Sequence, residues 1–139
     1  MKGKILMVLL VSVLALTSCK KRNFTDKGPT DVRIHNQTGQ VVSDVTVTVT
    51  DDPAYSIRSH NYGTLAAGAC SEYFRFDIAY PEADITVKID DVIYSTPATQ
   101  FKYLPYIGPD RITYSITIVD AVNRILDIET IIEEPIDDL

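Results

Sequence analysis

The chain has 139 residues, 13 Lys or Arg against 19 Asp or Glu for a formal charge of −6, and no tryptophan. That is one domain's worth of chain, enough for a modest core. The charge is unevenly placed: from Asp31 onward 7 basic residues face 18 acidic ones, a net of −11, and so acidic a surface repels phosphate backbones and disfavours nucleic-acid binding.

In chain order the first element is a targeting segment. Lys2 and Lys4 precede a run over residues 5–16 that is apolar except for Ser12, the charge-then-apolar order of a secretory signal peptide. A membrane span needs roughly 18 to 20 apolar residues, and this run stops at Thr17 and Ser18 and meets Lys20, Lys21 and Arg22. At that stop, Leu16, Thr17, Ser18 and Cys19 resemble the bacterial lipobox: an aliphatic residue, two small residues and a cysteine. The resemblance implies cleavage between Ser18 and Cys19, a diacylglyceryl group on the Cys19 sulfur and a further acyl chain on the new amino terminus. Three chains on one residue suffice for stable anchoring, because one alone, at about 0.8 kcal/mol per buried methylene, binds only marginally. Lys20 stands where some Gram-negative lipoproteins carry the aspartate of inner-membrane retention. The basic residues that follow also depart from the acidic pattern of surface display. The expectation is therefore a lipid-anchored protein of the cell envelope, on the outer membrane and facing the periplasm.

Residues 19–30 read as a tether, with mixed charges and the Gly28-Pro29 pair but no apolar period. From Asp31 the period becomes two, the signature of half-buried strands. Val32 and Ile34 alternate with Arg33 and His35. After turn residues at 36–40, Val45, Val47 and Val49 alternate with Thr46, Thr48 and Thr50. Asp51, Asp52 and Pro53 end that strand; two aspartates without further oxygen donors at ordered spacing are turn residues, not a calcium loop. In residues 62–73, Gly63 and Gly68 bracket Leu65, predicting an irregular bend that buries one leucine and uses a positive φ at Gly68. No Lys-Ser or Lys-Thr pair follows those glycines, so they form no phosphate cradle.

Phe74, Phe76 and Ile78 are expected inward, with Tyr73, Arg75 and Asp77 outward. Ile85, Val87 and Ile89 then lead to a hairpin at Asp90-Asp91 and a return strand over residues 92–96 that Pro97 ends. A loop over 97–110 carries Phe101, Tyr103 and Tyr106, rings that are candidates to contact a ligand or partner. Ile112, Tyr114, Ile116 and Ile118 give the cleanest alternation, a final strand covers about 124–132, and residues 133–139 read as a frayed acidic tail.

The chemistry-bearing residues are few. With Cys19 lipidated, Cys70 has no cysteine partner and reads as a small buried or half-buried residue near a strand start. His35 falls on an outward position, and nothing in the sequence brings His35 or His60 to Cys70. No HExxH or G-x-S-x-G motif appears; no catalytic residue, metal ligand or cofactor is assigned. The pattern predicts an all-β domain over 31–132, an antiparallel β-sandwich of about seven strands, immunoglobulin-like or transthyretin-like. It lacks the cysteine pair and tryptophan of the immunoglobulin core. The layout is similar to small single-domain lipoproteins of Gram-negative gut bacteria, through residues 16–19, residues 62–73 and the strand at 112–118. That resemblance implies no activity and carries over no residue except Cys19. The functional expectation is a non-enzymatic, membrane-anchored binding or interaction module with an envelope protein or a glycan as partner. Its alternatives are a glycan-binding accessory domain, or an inhibitor of a secreted hydrolase such as a protease or lysozyme.

Overall fold

The computed structural model describes residues 26–137; the expected signal peptide 1–18, Cys19 and tether residues up to 25 lie outside the described residues. Eight strands follow one another: β1 (Thr30–Asn36), β2 (Ser43–Thr48), β3 (Ser59–Asn61), β4 (Phe74–Phe76), β5 (Asp84–Ile89), β6 (Val92–Ser95), β7 (Asp110–Asp120) and β8 (Ile125–Pro135). The one helical element among the described residues is a 3-10 turn at Phe101–Tyr103. Hydrogen bonding joins the strands in the order β3-β2-β5-β6-β8-β7-β1-β4 into a single, nearly closed, barrel-like sheet.

The all-β class follows from the alternation, and the inward faces are those it marked. Val32, Ile34, Val45, Val47, Phe76, Ile85, Val87, Ile112, Tyr114, Ile116 and Leu126 form one core. Tyr114 is wholly buried, and its hydroxyl donates to the Tyr80 carbonyl across the interior. Burial pushes that phenol well above its ordinary range. The hairpin at Asp90-Asp91 joins Ile89 to Val92 with φ of 50° and 62°, the left-handed pair that a tight two-residue turn requires.

Pairing differs from an antiparallel sandwich in two places. β1 runs parallel to β7 from Asp31↔Arg111 to Asn36↔Ile116, and β6 meets β8 in parallel at Ser95↔Ile125. Period two reports which way a side chain faces, and carries no information about which strand lies alongside. The domain is also longer than the alternation suggested. β8 extends through Glu133 and Glu134, Ile136 is fully buried, and its N–H donates to Pro109 O at 2.9 Å, so the expected fray at 133–137 is instead the paired end of the longest hairpin. At the other end, Thr30 is buried and a Cβ on Gly28 would stand 2.3 Å from Asp77 O. Residues 28–30 are thus packed strand entry and not tether.

The sheet has two edges, β3 and β4, and they face one another. The His60 ring on β3 stacks on Phe74 of β4 at 3.7 Å between centroids, and the Tyr62 hydroxyl donates to Val32 O at 2.7 Å. Residues 62–71 then run along the gap. On one side Leu65 N–H donates to Val42 O at 2.8 Å; on the other, Asn36 N–H donates to Ala69 O at 2.9 Å and Ser71 N–H to Ile34 O at 2.8 Å. Gly63 and Gly68 both take φ near +79°, which lets this strap bend without Cβ strain. Asn36 pins it: wholly buried, its amide nitrogen lies within hydrogen-bond distance of the carbonyls of Gln40, Leu65 and Ala66.

Two outcomes test this closure. Gly28→Ala forces a backbone contact to move and is expected to destabilise the barrel by about 1 to 3 kcal/mol in urea melts, whereas a tether glycine would tolerate it. Burial lowers the His60 pKa below 6.5, so the fold favours the neutral ring. Its contribution is complete above the unfolded pKa and is lost as the pH falls through the lower folded value. Urea midpoints followed downward from about pH 8 should begin to drop just below pH 6.5, before carboxylate protonation begins. His60→Phe should remove that first step.

Candidate functional site

The 97–110 loop closes one end of the barrel. Pro97 follows β6 without an N–H, so pairing stops there, and Thr99 N–H is taken by Asp84 Oδ1 at 2.8 Å. The chain then makes its 3-10 turn, with Leu104 N–H donating to Phe101 O at 3.0 Å. It is tied back by Ile107 N–H to Ala79 O at 3.0 Å and by the Thr30 hydroxyl to Gly108 O at 2.6 Å. The loop is thus held to the barrel at three of its residues, Thr99, Ile107 and Gly108.

The three rings proposed for contact separate into two roles. Phe101 is 3% exposed and packs with Ile78 and Tyr80 in a small second core. It is a plug, and its candidacy as a contact residue is withdrawn: a ring in a loop fills whatever apolar gap the barrel end leaves. Tyr103 is 71% exposed and Tyr106 45% exposed. Tyr106 lies 5.6 Å from the Tyr80 ring, with the Lys27 ammonium 5.1 Å above it; Lys102 lies 4.9 Å above Tyr103. Beside them, a shallow groove runs between the Asp51-Asp52 turn, Tyr80 and Lys102. Thr50 at its floor is buried, not on the water face that alternation gave it, because Tyr80 covers it. Burial raises the Tyr80 phenol, and its hydrogen bond with Thr50 opposes that rise.

The cysteine and histidines fall out differently from the sequence reading. Cys70 is exposed, not buried, and lies opposite His35 in an antiparallel bridge. His35 Nε2 is 3.2 Å from Gly68 O, while His60 belongs to the distant ring stack. Among the described residues no three His, Cys, Asp or Glu side chains gather as a metal cage. The cleft where β6 and β8 diverge, between Thr96 to Thr99 and Leu126 to Ile128, holds about 160 Å³, below the roughly 300 Å³ of ordinary ligand pockets.

The sequence reading missed the charged row on the outer face of β4, β1, β7 and β8. Arg75, Asp31, Arg111 and Glu134 are register partners in that order. Asp31, 8% exposed at its side chain, takes Arg75 Nε at 2.7 Å and Nη2 at 3.0 Å, with Arg111 Nε at 3.5 Å. Glu134 takes Arg111 Nη1 at 3.0 Å. The β7–β8 register shifts between Arg111 and Ile112, and the bulge leaves Glu133 as the extra residue. Glu133 accepts from the Thr113 hydroxyl and from Arg33 Nη2, which together hold its carboxyl below the usual range. The Tyr73 ring lies 5.0 Å from Arg33 and 5.9 Å from Arg111. Thr113 and Ser115 are buried beneath this lattice, so β7 is covered on both faces. Alternating signs at outward positions of separate strands were the available signal, but they align only once the strand order is known.

No protein-family model matches the chain, and no curated protein matches it. Among solved structures it is similar to an NMR structure of a protein from Eubacterium rectale, with a TM-score of 0.47 and 17% identity over 83% of this chain and 96% of that one. A likeness of that order carries no argument about function.

The charged row is a structural device, and Asp31→Ala should show it. Removing the shared acceptor of Arg75 and Arg111 is expected to cost about 1.5 to 3 kcal/mol, the range for hydrogen bonds to charged groups, read from urea denaturation.

Proposed function

We propose that this chain is a lipid-anchored lipoprotein of the bacterial cell envelope whose barrel serves as a non-enzymatic binding module. The observation that carries the reading is the address at Leu16, Thr17, Ser18 and Cys19, set behind an apolar run too short to span and ahead of a basic stretch. Packed structure begins at Gly28, nine residues beyond Cys19, so the barrel would be held close to the bilayer. Lys20, Lys21 and Arg22 favour the outer membrane and a periplasm-facing domain. The eight-strand sheet narrows to a single register pair, Ser95↔Ile125, between β6 and β8, which supports reading it as two half-sheets of an immunoglobulin-like or transthyretin-like sandwich. Loops held on such a rigid frame suit recognition better than chemistry that needs a closed pocket.

Cys19→Ala decides the anchor. The wild-type protein should enter the detergent phase on phase separation and show, by mass spectrometry, an amino-terminal cysteine carrying acyl chains. The variant should stay uncleaved and unacylated. A wild-type product with a free thiol at Cys19, released to the medium, would refute the reading.

A further inference from the structure

We propose that the loop end of the barrel is a membrane-interface seat, with Tyr103 and Tyr106 resting among the lipid headgroups of the bilayer that holds Cys19. The inference rests on the lipoprotein reading and adds which face of the domain meets lipid.

Geometry points to this end first. The described chain starts against the loop: Asp26 O lies 3.1 Å from the place of a Cβ on Gly108, and the Lys27 ammonium stands over Tyr106. Asp26 lies seven residues beyond Cys19, a reach of at most about 25 Å when fully extended. Wherever acyl chains insert, this is the end of the barrel that the anchor leads to. The tip at Asp90-Asp91 lies at the far end of β5, whereas the 121–124 turn, at the far end of β7, comes back against β6, with Arg124 O accepting from Ser95 N–H at 3.1 Å.

Chemistry points the same way. The loop exposes rings with an apolar body and a polar tip, each with a lysine ammonium over its face, and this pairing of Tyr and Lys is the composition of membrane–water interfaces. The apolar side chains exposed around the far end of β7, Val119 and Val122, have no polar tip to place among headgroups. Charge does not drive the seating. Asp26, Asp51, Asp52 and Asp110 at this end outnumber Lys27 and Lys102, so the rings should engage zwitterionic lipid and remain engaged in high salt, which would screen a purely electrostatic contact.

The test attaches the barrel to lipid without relying on cellular acylation. The chain from Cys19 onward, carrying Cys70→Ser, is coupled through Cys19 to a maleimide lipid in phosphatidylcholine nanodiscs. Amide NMR signals are recorded with and without a headgroup spin label. Residues 102–107 should broaden several-fold more than residues 90–91, in low salt and high salt alike. Tyr103→Ser with Tyr106→Ser should abolish the difference, and Tyr103→Ser alone, at a position that packs little, should reduce it. Equal broadening at residues 90–91 and 102–107, or stronger broadening at residues 90–91 or 121–124, overturns the proposal. So does a shift of Tyr103 and Tyr106 on adding millimolar muropeptide with no broadening from lipid, which would assign the loop to a glycan. Because the coupling is chemical, failure here is distinct from failure of Cys19 acylation in cells.

Discussion

A single sheet with two free edges must hide them, and this barrel depends on how it does so. β3 and β4 are short, three residues each, which limits the unpaired backbone they expose. The His60–Phe74 stack brings them together, and the strap over residues 62–71 fills the gap with backbone hydrogen bonds to β2 on one flank and β1 on the other. The buried amide of Asn36 holds strap and turn in one register, and the two glycines supply the left-handed bends. Without this strap the hydrophobic interior would open along its length.

The outer face of the opposite half-sheet is organised by charge. β7 lies between β1 and β8 and is covered on both sides, apolar side chains within and a lattice of arginine, carboxylate, threonine and tyrosine without. Such a row adds stability only where its members stay hydrogen-bonded, since desolvation offsets much of the Coulombic gain. Here Asp31 receives a two-pronged arginine and a second guanidinium, and the bulge at Glu133 turns an extra carboxylate onto the same face. The acidic end of the chain, which composition alone marks as loose, is drawn into the fold by two arginines, Arg33 on Glu133 and Arg111 on Glu134, that lie well away from it in sequence.

The loop end draws fold and address together. Phe101 and Tyr80 plug the barrel, leaving Tyr103 and Tyr106 on a support that is already rigid. The same end receives the chain from the amino-terminal side. Under the proposed anchor at Cys19, a domain built this way would turn its Asp90-Asp91 tip away from the bilayer while its aromatic loop meets lipid.

The sequence by itself determined the β class, the inward residues and the tight turn at Asp90-Asp91, because side-chain period and turn preference are local properties of the backbone. It also determined the strap's buried leucine and its left-handed glycine, and it is the whole source of the anchor reading at Cys19. Tertiary structure alone decided the parallel β1–β7 pair, the burial of Phe101, Thr113 and Ile136, the exposure of Cys70 beside His35, and the alignment of Arg75, Asp31, Arg111 and Glu134. Each of these depends on which distant segment lies alongside. Period two repeats identically whatever the neighbour, so pairing is settled only when the whole sheet closes and every edge and buried polar group finds its partner.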